Sequence, residues 1–212
     1  MVAIIDYDAG NILSVQKACT YLGCECRVTG ERDEILAADH IILPGVGAFG
    51  DAMEKLRMGG LDGVIAEAVD RDLPFLGICL GEQLLFEESE EAPGVKGLGL
   101  LGGRCSRIPE GDGRKIPHMG WNSLSFPAAG RLFQGVPEDV CVYFVHSYYV
   151  HADDRAVVTA LCDYGTPMDV SVERGNLFGC QFHPEKSGQW GLKILGNFLS
   201  VGRAERIHSE ME

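Results

Sequence analysis

"DLPFLGICLGEQLLFEES" (residues 72–89) joins a continuously apolar run to a helix-like one, with a cysteine at the joint and glycines on either side. Pro74 to Ile78 reads as a short strand covered on both faces, the kind found inside a parallel sheet. Each of Gly77 and Gly81 costs backbone entropy that Val or Ala would not, so the pattern needs a reason beyond packing. A sharp strand-to-helix turn supplies one, because glycines let strand and helix approach without a Cβ collision while the apical side chain is held up. Gly77-Ile78-Cys79-Leu80-Gly81 is the cysteine counterpart of the G-x-S-x-G elbow. The helix that follows aims its amide end at the sulfur, which favours an anionic nucleophile. A buried structural thiol is the competing reading of this pattern alone.

The flanking sequence fits an elbow at the edge of a parallel sheet. "VAIID" reads as a buried strand. Asn11 to Leu22 carries Val15, Ala18, Cys19 and Leu22 at helical spacing, with Gly23 at a left-handed cap. "CECRV" and "HIIL" are strands, and Asp51 to Asp70 is a helical region containing glycine. This β, α, β alternation predicts an α/β fold with helices on both faces of a parallel core. From Leu98 the rhythm shortens: "GGRCSRIP", "GWNSLSF", "VYFVHSYYV", "AVVTALC", "DVSVERG" and "NLFGCQF" are strands broken by Gly, Pro and Asp. They are expected as antiparallel strands added to the same unit, since no linker separates the halves. "SGQWGLKILGNFLS" closes the chain as a helix capped by Ser187. Residues 1–202 are thus expected to form one domain and 203–212 a polar, fraying tail.

Composition narrows the function. The chain has 212 residues, 46% of them hydrophobic, enough for one sizeable core. With 31 acidic against 18 basic residues the net charge is -13, which disfavours a nucleic-acid partner because polyanions are bound through Lys and Arg. No apolar run is long enough to span a bilayer, and "MVAIIDYDAGN" lacks the features of a signal peptide, so a cytoplasmic protein is expected. The eight cysteines sit mostly in apolar strings and read as small buried hydrophobes. Cys24 and Cys26 are expected on one strand face, and no metal or cofactor is expected.

A cysteine nucleophile needs a base, and the base needs an orienting group. His40, His151 and His208 fall in loop, turn or tail contexts, while His118 and His146 lie in strand-like strings. "NLFGCQFHPEKS" instead ends a strand-like run in His183-Pro184-Glu185, and the proline holds His183 extended. There His183 and Glu185 project to one side, so the carboxylate can hold one ring nitrogen and aim the other at the sulfur. A turn histidine beside a solvated glutamate is the alternative. Negative charge on an intermediate needs donors: the Leu80 amide is one, and "HIILPGVGAFGD" offers the Gly45-Val46 segment. A phosphate loop is the rival reading, but GVGAFG is not G-x-G-x-x-G and no Lys-Ser follows.

Together "GICLGEQLLFEES", "PGVGAFG" and "FHPE" resemble the class I glutamine amidotransferases over about residues 2–200. "IPHMGWN", "YFVHSYYV" and "FHPEKS" are similar to the glutaminase subunits of imidazole glycerol phosphate synthases. The resemblance implies a flavodoxin-like open mixed sheet and a triad of Cys79 (nucleophile), His183 (base, then acid) and Glu185. It implies oxyanion donors at Leu80 and the Gly45-Val46 peptide, and substrate contacts from Gln83, Ser147 and Tyr148. It also implies a heterodimer with a (β/α)8-barrel cyclase, faced by Asn11, Pro117, Met119, Trp121 and Lys186. Two positions depart from the pattern: Glu82 stands where Met is common, and Asp8 where Gly is common. Unless Glu82 points to solvent, its charge opposes sulfur activation. Three rivals stay open: a glutaminase serving another synthase, a redox or chaperone protein with an elbow cysteine, and an inactive binding module. Trp121 as a core aromatic, Tyr148 as an ordinary sheet residue and Lys186 as a plain surface charge stay open too.

Overall fold

Alternating inward and outward burial begins at the amino terminus, where Val2 and Ile4 enter one core and Ala3 and Ile5 another. A strand whose two faces are both apolar must be covered twice, and the chain obliges with helices on each side. The computed structural model describes residues 1–8, 11–111 and 113–202; the expected tail at 203–212, with His208, lies outside them.

In chain order the first half contains β1 (Val2–Ile5), α1 (Ile12–Tyr21), β2 (Cys26–Thr29), α2 (Arg32–Leu36), β3 (His40–Gly45), α3 (Phe49–Met58), α4 (Leu61–Asp70), β4 (Phe75–Cys79) and α5 (Leu80–Leu84). The second contains β5 (Glu88–Ser89), β6 (Gly103–Arg107), β7 (His118–Ser123), β8 (Cys141–His146), β9 (Tyr148–Ala152), β10 (Val158–Asp163), β11 (Pro167–Arg174), β12 (Leu177–Cys180) and α6 (Gly188–Phe198). The main sheet runs β2-β1-β3-β4-β12-β11-β9-β6-β5, with β10 also paired to β11. Strands β2, β1, β3, β4 and β12 are mutually parallel, whereas β11, β9 and β6 add antiparallel pairs. β7 and β8 form a separate antiparallel ribbon.

The α/β class and the parallel core with antiparallel additions match the expectation, and several details differ. Asp51 to Asp70 is two helices, because Gly60 at φ 66° turns the chain between them. "VYFVHSYYV" is two strands broken at Ser147, one in each sheet. Strand β2 starts at Cys26, so Cys24 precedes the strand instead of sharing its face, although both pack against the same core. His40 and His151 are strand residues, not loop residues. Most importantly, "NLFGCQF" supplies β12, which is parallel to β4 and adjacent to it. In an open α/β sheet, ligands bind beyond the carboxyl ends of such strands.

Candidate active site

The register of three neighbouring strands assembles the site. Gly45 pairs with Cys79 at the end of β3 and β4, and Cys180 pairs with Ile78 at the end of β12. His183 therefore leaves the sheet beside the nucleophile although nearly half the chain separates them.

Cys79 occupies φ 55° and ψ -109°, a left-handed turn that β4 enters and α5 leaves. The flanking glycines follow from contact distances. A Cβ on Gly77 would lie 2.5 Å from the Gly81 carbonyl oxygen, and one on Gly81 would lie 1.9 Å from the Leu43 carbonyl oxygen. Backbone therefore passes backbone with no room for a methyl group on either side of the elbow. Gly45 is similarly confined, with a Cβ there falling 2.6 Å from the Tyr7 hydroxyl and 2.9 Å from Leu80 Cβ. Gly47 needs glycine for a different reason, its φ of +106°.

His183 is almost wholly buried, and its Nδ1 lies 2.8 Å from Glu185 Oε1. The two meet through a 3₁₀ turn at Pro184–Lys186, so the simple extended alternation expected from the sequence does not describe how they approach. Ser187 caps α6 by position, yet its hydroxyl donates to the His183 carbonyl (2.6 Å) and accepts from the Tyr143 amide (2.9 Å). It fixes the histidine's backbone and does not cap the helix. With Nδ1 committed to Glu185, Nε2 is the ring atom left for Cys79, and it has no hydrogen-bond partner among the described residues. Burial alone would lower the His183 pKa, but the neighbouring sulfur and the Glu185 carboxylate together outweigh it and raise it to about 9. The imidazole is thus held as an imidazolium at neutral pH.

Asn11, expected at a partner face, turns its amide inward: Nδ2 donates to Glu185 Oε1 at 2.5 Å and lies 3.4 Å from His183 Nδ1. Pro117, Met119, Trp121 and Lys186 are exposed, Met119 by 63% and Trp121 by 56%, so Trp121 is not a core aromatic. Glu82 is the clearest departure from expectation. It is fully buried, neither oxygen is hydrogen-bonded among the described residues, and desolvation, aided by Cys79 and Asp169, pushes it well above the usual carboxylate range. Burial thus favours its uncharged form and works against the anticipated charge beside the sulfur.

A cavity of about 300 Å³ opens at Cys79, lined by Val46, Gly47, Leu80, Gln83, Pro117, His146, Ser147 and Tyr148. The oxyanion candidates Leu80 and Val46 and the substrate candidates Gln83, Ser147 and Tyr148 thus share one space. Beneath it His118 Nδ1 meets His146 Nε2 at 3.0 Å, and His146 Nδ1 donates to the Tyr148 carbonyl at 2.9 Å. Burial lowers His118 to about 4 and His146 to about 3, so both rings are neutral, and His146 forms part of the cavity wall. Sequence reasoning missed Gln181, fully buried, whose Nε2 is 3.6 Å from the Cys79 sulfur. Its place two residues before His183 on an extended segment was the available signal.

Comparisons with known proteins identify the family. The family model "Glutamine amidotransferase class-I" matches residues 3–201. An imidazole glycerol phosphate synthase subunit HisH of Moorella thermoacetica is 54% identical over 202 residues, covering 95% of each chain. The protein of the same name from Geobacillus kaustophilus is 50% identical, covering 95% of this chain and 97% of its own. Among solved structures, a glutamine amidotransferase superposes with a TM-score of 0.74 at 20% identity, covering 94% of this chain and 98% of that one. The structure of PurLQS from Thermotoga maritima gives 0.71 at 21% identity, covering 94% of this chain and 97% of that one; these two likenesses bear on the fold alone. A family model spanning nearly the whole chain, and relatives this similar along their full length, place the chain in the class I glutamine amidotransferase family.

Proposed function

We propose that this chain hydrolyses L-glutamine to glutamate and ammonia and passes the ammonia to a (β/α)8-barrel cyclase, as the glutaminase half of an imidazole glycerol phosphate synthase heterodimer in histidine biosynthesis. The observation that carries the reading is the register of β4 with β12, which sets the Cys79 elbow beside a His183 already paired to Glu185.

The chemistry is acyl transfer. The Cys79 sulfur attacks the γ-amide carbon, and His183, protonated at neutral pH, gives its proton to the departing ammonia. The imidazole then takes a proton from water, which cleaves the γ-glutamyl thioester and restores the sulfur. Glu185 keeps the ring oriented throughout, with Asn11 bracing the carboxylate. The Leu80 amide and the Gly45-Val46 peptide are the donors for the oxyanion, and Gln83, Ser147 and Tyr148 face the amino-acid end of the substrate. These groups supply acid, base and nucleophile from the chain itself.

The partner follows from chemistry and from the relatives. Ammonia released into water is protonated and ceases to be a nucleophile, so it needs a protected route to an acceptor. The HisH relatives are named as subunits of a synthase, and the exposed Pro117, Met119, Trp121 and Lys186 offer a surface for the cyclase. There ammonia attacks a phosphoribulosyl formimino aminoimidazole carboxamide nucleotide, giving imidazole glycerol phosphate and releasing aminoimidazole carboxamide ribotide. The test is Cys79→Ser in the reconstituted complex: glutamine-driven synthesis disappears while synthesis from ammonium salt survives. Retention of glutamine-driven synthesis would refute the proposal.

A further inference from the structure

Gln181 leaves the end of β12 fully buried, its backbone amide bonded to the Val170 carbonyl at 3.0 Å. Its side chain spans two partners: Nε2 lies 3.6 Å from the Cys79 sulfur, and Oε1 lies 2.8 Å from Gln83 Nε2. The oxygen and nitrogen of an amide have nearly the same shape, so their assignment has to come from neighbours. Here an invariable acceptor supplies it. Gln83 Nε2 is 2.9 Å from the Tyr148 carbonyl oxygen, which can only accept, so the Gln83 atom at that point is the NH₂ group. The same NH₂ faces Gln181, which must therefore present its oxygen there. The Gln181 N–H groups are left pointing at the sulfur.

Gln83 was expected to hold substrate, yet its amide nitrogen serves both the Tyr148 carbonyl and Gln181. The Val145 carbonyl, 4.0 Å from the sulfur, accepts from a thiol and repels an anion. Gln181 is a side-chain donor that opposes it, alongside the His183 ring.

We infer that Gln181 is a positioning residue for the nucleophile: its amide donates to the Cys79 sulfur and stabilises the negative charge the sulfur bears in attack, with Gln83 as the clamp that fixes the amide's direction. The inference rests on the reading of Cys79 as nucleophile. A donor in a dry site strengthens as the acceptor gains charge, so its effect is larger on the anion than on the thiol.

The test follows iodoacetamide alkylation of Cys79 in the full chain across pH, reading the Cys79 peptide by mass spectrometry because other cysteines also react. Gln181→Met moves the midpoint of the rate profile up by about one pH unit, while the alkaline plateau is kept. Gln181→Glu, which retains an acceptor for Gln83 but turns an oxygen to the sulfur, moves it further. Gln83→Met moves it less, in the same direction, and serves where a Gln181 variant fails to fold. Unmoved midpoints in the folded variants overturn the inference. Glutamine hydrolysis by Cys79→Ala in the cyclase complex separates the two claims: retained hydrolysis overturns the nucleophile reading, and lost hydrolysis with unmoved midpoints overturns only the role of Gln181.

Discussion

Glu82 lies in the first turn of α5, sealed from water, with no hydrogen bond to either oxygen among the described residues. Burial raises its pKa, so the folded protein keeps a proton that the unfolded chain releases near 4.5. The sign follows: this residue favours folding most at low pH, and its contribution declines as pH rises from about that value toward the folded pKa. Glu82→Met is expected to stabilise the chain at neutral pH by roughly 1–3 kcal/mol, since it replaces an unsatisfied acid by an apolar side chain of similar length. Denaturant melts at several pH values check it, and the gap between variant and parent should widen upward in pH. His183 titrates in the same sense for catalysis, the protonated form being the useful one. With its pKa raised to about 9, kcat/KM of the complex is expected to fall as pH climbs past that value, because the ammonia then leaves without a proton donor. Glu185→Gln removes one of the raising influences, so the alkaline limb should move to lower pH and the rate should drop by roughly 10²-fold. A pH-rate profile of both proteins decides it.

At the scale of elements, the elbow is the most legible feature because its constraint is local. A Cβ at Gly81 would sit 1.9 Å from the Leu43 carbonyl oxygen, so Gly81→Ala has to displace β3 or α5. It is expected to cost several kcal/mol, as overpacking against rigid backbone does, and to abolish both cooperative thermal unfolding and glutaminase activity. Calorimetry and an activity assay read the two effects. Strands β1, β3 and β4 were equally plain, since continuous apolar runs bounded by turns announce themselves. Helix α2 was not, because its five residues fully bury only Ile35, with Leu36 half-buried beside it, too few apolar positions to show a helical period. The split of "VYFVHSYYV" at Ser147 was hidden for a different reason: both halves carry strand residues, and only tertiary pairing assigns them to separate sheets. The site divides the same way. Cys79, His183 and Glu185 stood out because their spacing encodes a task, whereas Gln181 and Asn11 act through partners that folding brings from over a hundred residues away. The burial of Glu82 ran against what its charge signals.

Across the whole molecule, the β7–β8 ribbon turns His118 inward and Met119 and Trp121 outward, while His146 lines the cavity from the same ribbon. One small sheet thus touches both the reaction space and the surface proposed for the cyclase. Trp121→Ala is expected to weaken that complex by about 30-fold, the scale of an aromatic anchor, with thermal stability of the isolated chain nearly unchanged. Titration calorimetry against the cyclase measures the first and a melting curve the second; equal affinity would remove Trp121 from the interface.

The seat of β12 between β4 and β11 has a temporal consequence during synthesis on the ribosome. Every strand before it can emerge and begin to pair, yet the gap beside the elbow stays open until Leu177–Cys180 slides in. A nascent chain therefore carries an inert sulfur, and the power to release ammonia switches on late, once the histidine-bearing segment clears the exit tunnel.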